Sequence, residues 1–359
     1  MAQSLTELME QAIAQNASDI HLKTGNPPIY RVDGDLRRLE GAPLTSEDLQ
    51  EYLKVLAKPQ DIVKFEKVME LDLSYMFENR ARFRVNVCRD DGDLRIVMRL
   101  IPLQIKTIEE LRLPVVLKRL CGLKNGVILV TGPTGSGKST TLAALIDLIN
   151  STRPVHIVTI EDPLEFVHSD KMGIVTQREV GHDTLSFANA LRGALRQDPD
   201  VILIGEMRDA ETVRTALASA ETGHLVLSTL HTVDAVETLN RILDFFEPHQ
   251  QTQIRKQLAS VLRAVISQRI VPLAKGTGRT VACEILMGTR TVRDFIEQGK
   301  AFKDIVSLIE EGRDQWGMQT FDQALFDLWK AGEISAEVAL QNATSAKDLK
   351  LRMQGMNVR

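Results

Sequence analysis

Residues 126–140 read Gly-Val-Ile-Leu-Val-Thr-Gly-Pro-Thr-Gly-Ser-Gly-Lys-Ser-Thr, and this stretch decides the fold. Val127–Val130 is an apolar run of strand length, Leu142–Ile149 continues with helical character, and Gly132–Thr140 between them fits G-x-x-x-x-G-K-[ST]. The chemistry explains the residue types. Glycines let backbone N–H groups turn inward around phosphate oxygens, and the following helix adds the positive end of its dipole. Gly132, Pro133, Thr134, Gly135, Ser136, Gly137, Lys138, Ser139 and Thr140 are therefore the candidate nucleotide-binding residues. Lys138 would reach the β- and γ-phosphates of ATP, and the Ser139 hydroxyl would ligate Mg²⁺.

Downstream, short apolar runs alternate with helical text: Val155–Ile160, Val201–Ile204 and Leu225–Leu227. Continuous apolar strands are the mark of a parallel sheet covered on both faces, so an α/β domain is expected. Upstream the pattern is different. Residues 3–16 read as an amphipathic helix, Ser18–Leu22 and Ile29–Val32 as strands, Asp33-Gly34 as a hairpin turn, and Thr45 as the cap of a helix to about Ala57. Leu71–Phe77, Arg82–Arg89 and Leu94–Leu100 are strand-like. The expected division is an α+β domain over 1–100, a linker over 101–114, an α/β core over 115–288 and a helical region over 289–359.

Composition narrows the function classes. At 359 residues, 43% hydrophobic and 26% charged, the chain is neither disordered nor collagen-like. A net charge of −4 argues against a general nucleic-acid binder, so no nucleic-acid partner is expected. The 3 cysteines, Cys88, Cys121 and Cys283, are far apart and form neither a zinc-site spacing nor a disulfide framework. No apolar run approaches membrane-spanning length, and the first residues lack signal-peptide character. A soluble cytoplasmic protein is the expectation, with any membrane association made through a partner.

Acids near a γ-phosphate decide whether bound ATP would be hydrolysed. Val201–Glu206 is an apolar strand ending in an acid, with Glu206 where P-loop enzymes usually have Asp, a longer side chain that allows Mg²⁺ contact through a water. Glu161, Asp162 and Glu165 cluster after another strand, either to orient or deprotonate an attacking water or as a solvated loop. His224 and His231 bracket a third strand; strand-end histidines serve structural hydrogen bonds as well as catalysis. Arg82 and Arg84 share one face of a strand, as do Arg95 and Arg99 of the next. They read as a basic edge beside the acidic loop Asp90–Asp93, or as arginine fingers delivered to a neighbour's nucleotide.

Taken together, the Gly132–Thr140 loop, Thr159-Ile160-Glu161-Asp162-Pro163, Gly205-Glu206-Met207-Arg208-Asp209 and Glu221–His231 resemble the secretion ATPases of the type II/type IV pilus class. Ala17–Leu22, Arg82–Asn86 and Gly317–Thr320 narrow the resemblance to pilus-retraction ATPases of the PilT/PilU type. The resemblance implies a PAS-like domain preceding a RecA-like ATPase domain, and six subunits in a ring. It implies Glu161 as the catalytic glutamate, Glu206 as the Walker-B acid and Mg²⁺ partner, and His224 and His231 as histidine-box residues near the γ-phosphate. It implies Arg82, Arg84 and Arg99 as arginines that approach nucleotide. The implied partners are an inner-membrane pilus platform protein, which would hold the motor at the inner membrane, and a paralogous retraction or extension ATPase. The implied work is type IV pilus retraction. A pilus-extension or type II secretion ATPase is the alternative, disfavoured by the absence of a four-cysteine metal element; a RecA-like DNA translocase is disfavoured by the charge balance.

Overall fold

The computed structural model describes residues 3–32, 34–78, 80–101, 104–275, 278–299 and 301–356. The Asp33 half of the expected hairpin turn and Pro102 of the expected linker lie outside them. The chain divides into two compact units, Met1–Gln104 and Ile105–Arg359.

The first unit holds strands β1 (Asp19–Lys23), β2 (Ile29–Val32), β3 (Asp35–Arg38), β4 (Glu70–Phe77), β5 (Ala81–Asp90) and β6 (Asp93–Ile101). They form one antiparallel sheet in the order β3-β2-β1-β6-β5-β4. Helices α1 (Leu5–Ala14), α2 (Ser46–Leu56) and α3 (Pro59–Val68) accompany it. Ser4 and Glu7 make a reciprocal capping box on α1, as Thr45 and Asp48 do on α2, so two orphan backbone donors are satisfied at each helix start. Alternation does the rest. Phe83, Val85 and Val87 of β5 and Leu94, Ile96 and Met98 of β6 are buried, leaving Arg82, Arg84, Arg95 and Arg99 on the opposite face. Sequence reading passed over α3, whose start is signalled only by Pro59 at its first position and which buries Phe65 alone.

The second unit begins with α4 (Val116–Cys121), β7 (Gly126–Thr131), α5 (Lys138–Thr152), β8 (His156–Glu161), β9 (Ile174–Glu179), α6 (Phe187–Ala194) and β10 (Val201–Ile204). It continues with α7 (Ala210–Glu221), β11 (Leu225–Leu230), α8 (Ala235–Asp244), α9 (Pro248–Val261), β12 (Leu262–Pro272) and β13 (Arg279–Met287). The sheet order is β13-β12-β7-β11-β10-β8-β9, parallel except for the β12–β13 pair. Val127 and Leu129 of β7 enter the apolar cluster on one face, and Ile128 and Val130 enter the cluster on the other. This two-sided burial is why β7 reads as an unbroken apolar run. Beyond β13 the described residues form a 3-10 turn at Phe302–Asp304 and six short helices, α10 (Arg290–Glu297), α11 (Ile305–Glu311), α12 (Arg313–Trp316), α13 (Phe321–Lys330), α14 (Ala336–Asn342) and α15 (Ala346–Met353). Phe321, Leu325, Ala339 and Leu349 close a separate small core there with Val271 and Ala282. Strands β9, β12 and β13 are additions to what sequence reading expected.

Candidate functional site

In a parallel sheet all strands end on one edge, and ligands collect in the crevice beyond it. Register places four sequence-predicted segments on that edge: Thr131 sits opposite Leu230, and Ile204 sits opposite both Ser228 and Ile160. The Gly132–Thr140 loop, His231, Glu206 and Glu161 therefore leave the sheet side by side.

The loop depends on its glycines. Gly132, Gly135 and Gly137 have φ values of 145°, 81° and 88°. A Cβ on Gly132 would lie 2.5 Å from Ser136 Oγ and 2.7 Å from the Gln268 carbonyl oxygen. Pro133, Thr134 and Gly135 are exposed at the crest, Ser136 is buried, and Ser139 and Thr140 stand half-buried in the first turn of α5. The Lys138 ammonium donates to the carbonyls of Gly132 at 2.8 Å and Pro133 at 3.1 Å. Burial pushes its pKa down, against the opposing pull of Glu206 and Glu165. Ser136 Oγ is buried with no hydrogen-bond partner. A buried donor left over beside a folded-over cation suits an anion with several oxygens.

Four polar side chains tie the neighbouring strand ends together. His231 Nε2 lies 3.3 Å from Glu206 Oε1, Arg208 Nε lies 2.7 Å from Glu206 Oε2, and an Arg208 terminal nitrogen reaches Asp162 at 3.6 Å. The Thr229 hydroxyl donates to the Gly205 carbonyl at 2.6 Å, fixing the backbone just before Glu206. Asp209 then caps α7 by accepting from Thr212 N–H.

Glu161 closes β8 beside a cis Asp162–Pro163 bond. Desolvation drives its carboxyl up to about 7, against hydrogen bonds that favour the ionised form, among them the Glu165 N–H at 3.4 Å. Gly205 makes this packing possible: a Cβ there would meet the Ile160 carbonyl oxygen at 3.2 Å and Glu161 Cα at 3.3 Å. Gln177 on β9 braces the following loop, donating to the Phe166 carbonyl and accepting from the His168 N–H. Arg208 and Gln177 were not singled out in the sequence; Arg208 stood inside a recognised string, and Gln177 carried no local signal.

The two histidines part company. His224 precedes β11 and its carbonyl accepts from Gly126 N–H, at the start of β7. It thus stands at the edge opposite the phosphate loop, a strand length of roughly 20 Å away. Its Nδ1 lies 2.8 Å from the Ser219 carbonyl oxygen. Within one chain the register thus places His231 at the phosphate-loop edge and His224 at the opposite edge, because a strand's two ends lie on opposite edges of the sheet.

In the first unit, Arg84 and Arg99 face each other across β5 and β6. Arg99 is drawn to buried Asp19, with Nε 2.8 Å from Oδ1, and Arg95 pairs with Asp90 at 3.5 Å. Arg95 and Arg99 thus each have a local carboxylate partner. Arg84 is exposed, and among the described residues no hydrogen bond or ion pair of its side chain is recorded. Arg82, half-buried, shares its face.

A cavity of about 280 Å³ adjoins the phosphate loop on its Ser136–Gly137 side, lined by Thr140, Ile270, Leu273 and Val281 among others. Its size is near the lower end of small-molecule sites, about 300 Å³.

A family profile described as type II/IV secretion system protein matches residues 1–317. The type IV pilus retraction ATPase PilT of Pseudomonas aeruginosa is 46% identical over 339 residues, covering 94% of this chain and 98% of that protein. A twitching motility protein of Neisseria gonorrhoeae is 42% identical, covering 97% of this chain and 93% of its own length. The crystal structure of the pilus retraction motor PilT with bound ADP superposes with a TM-score of 0.90 at 44% identity, covering 97% of this chain and 99% of that one. No helix among the described residues is long and apolar enough to cross a membrane. The chain belongs to the type II/IV secretion system protein family.

Proposed function

We propose that this family member hydrolyses ATP at the C-terminal edge of its parallel sheet and that rings of six copies use the energy to retract a type IV pilus. The observation that carries the reading is the convergence there of the phosphate loop with Lys138, the Glu206–His231 pair and Glu161. Sequence relatives named for pilus retraction and twitching motility support the biological direction.

Lys138 and the loop N–H groups would hold the β- and γ-phosphates, and the unpartnered Ser136 hydroxyl supplies a further donor. The cavity beside Thr140, apolar through Ile270, Leu273 and Val281, would take the nucleoside. Ser139 and Glu206 offer a hydroxyl and a carboxylate, hard oxygen donors that fit Mg²⁺. Mg²⁺, when bound, neutralises charge on the phosphate oxygens. Glu161 would accept a proton from the attacking water as the water oxygen bonds to the γ-phosphorus and the bond to the bridging oxygen of ADP breaks. A carboxyl pushed up to about 7 suits a base working near neutral pH. Arg84, exposed and without a hydrogen bond or ion pair among the described residues, would approach the nucleotide of a neighbouring subunit, with Arg82 on the same strand face and Arg99 released from Asp19. Work on the pilus would be passed to a platform protein at the inner membrane from the cytoplasmic side, with a paralogous ATPase as a further partner.

Deletion and complementation in the source organism test the direction of the motor. Hyperpiliated, non-twitching cells restored by the wild-type gene are expected; bald cells would assign extension instead.

A further inference from the structure

Four buried hydroxyls form a row beneath the phosphate loop. Thr131 ends β7 immediately before Gly132, Ser267 lies on β12, Thr232 follows His231, and Thr238 stands in α8. Thr131 Oγ1 donates to Ser267 Oγ at 2.9 Å, the Thr232 and Thr238 hydroxyl oxygens are 2.7 Å apart, and Thr238 Oγ1 lies 3.5 Å from Thr131 Oγ1. Thr238 Oγ1 also lies 2.6 Å from the Asp234 carbonyl oxygen.

Proton counting orders the row. A carbonyl only accepts, and Thr238 has one proton, which the short contact to Asp234 takes. Thr232 must then donate to Thr238. The proton of Thr131 goes to Ser267, and the long 3.5 Å approach is where the two halves meet. All four side chains are buried, and valine would fill each threonine's volume without a hydroxyl to satisfy. The row also sets side by side, at the Thr131–Thr238 contact, the two backbones that matter here. One enters the phosphate loop; the other carries His231 to Glu206.

We infer that Thr238 is a positioning residue for hydrolysis: anchored on the Asp234 carbonyl, its hydroxyl accepts from Thr232 and so fixes the backbone bearing His231. The inference rests on the ATPase reading above.

Thr238→Val removes the hydroxyl and keeps the β-branch, whereas Thr238→Ser keeps the hydroxyl. Steady-state phosphate release and titration with a fluorescent ATP analogue should show Thr238→Val losing about 10-fold or more in kcat while analogue affinity stays within about twofold. Thr238→Ser should recover most of kcat. His231→Ala should cost far less in the Thr238→Val background than alone, since both remove the same placement. Wild-type kcat in Thr238→Val, failure of serine to rescue, or independent multiplication with His231→Ala would overturn the inference and leave the ATPase reading standing. Absence of phosphate release from wild-type rings would remove both. If Thr238→Val does not fold, Thr232→Val breaks the same bond from the loop side, with the same expected and contrary results.

Discussion

His231 Nε2 lies 3.3 Å from Oε1 of Glu206, while His224, seven residues earlier, hydrogen-bonds the Ser219 carbonyl at the opposite edge of the sheet. His231→Ala is expected to lower kcat by about 10-fold or more, as loss of a group next to the reacting centre does. His224→Ala should act mainly on folding, by about 1 kcal/mol for one hydrogen bond. Phosphate release and thermal unfolding, measured on both variants, separate the two effects.

The raised carboxyl of Glu161 sets a pH dependence. A base must be ionised, so kcat should rise with pH through about 7, the value to which burial pushes this group. Stability should run the other way. The folded state holds the proton more tightly than the unfolded chain, whose Glu titrates near 4.5, so this contribution is complete below 4.5 and is lost as pH rises through about 7. Glu284, buried on β13 and accepting from the Ala235 N–H, is also pushed up to about 7 by desolvation and adds in the same direction. Each group amounts to about 3 kcal/mol at most. Glu284→Gln keeps an acceptor and should flatten denaturant midpoints over that range.

Gly205→Ala is expected to damage catalysis more than stability. The new Cβ would press on the Ile160 carbonyl and on Glu161 Cα from 3.2 and 3.3 Å, and a small displacement of the base costs about 10-fold or more. A kcat loss with the unfolding midpoint nearly unchanged is the expected result.

Arg84 gives an assembly test. Arg84→Ala keeps the phosphate loop and lacks the finger; Lys138→Ala has the reverse. Each alone should be inactive, and mixed rings should recover part of the ATPase activity at interfaces that pair an intact loop with an intact arginine. Energy transfer between labelled chains establishes that subunits exchange. Wild-type turnover by Arg84→Ala alone would return Arg84 to a structural role.

The phosphate loop and the β10 acid were legible because their signals are local: an apolar strand, glycines at positive φ, an acid at the strand end. Strands β9 and β12 were not. Ile174 on the sheet-edge strand β9 is exposed. Ser267, Gln268 and Arg269 break the apolar pattern of β12, and their partners Thr131, Thr141 and Asn342 are distant in sequence. That His224 and His231 stand at opposite ends of a strand was legible from spacing; which of them meets the phosphate loop required the register of β11 against β7. Arg99 showed its alternation in the sequence, whereas its partner Asp19, 80 residues away, became visible only when β1 paired with β6.

The central claim, that Glu161 is the base of an ATPase, is tested most directly by phosphate release from Glu161→Gln alongside its affinity for ATP. The amide matches the carboxylate in shape but cannot accept the proton. Retained ATP binding with turnover reduced by about 10²–10⁴-fold is the predicted result; turnover at the wild-type rate would contradict it.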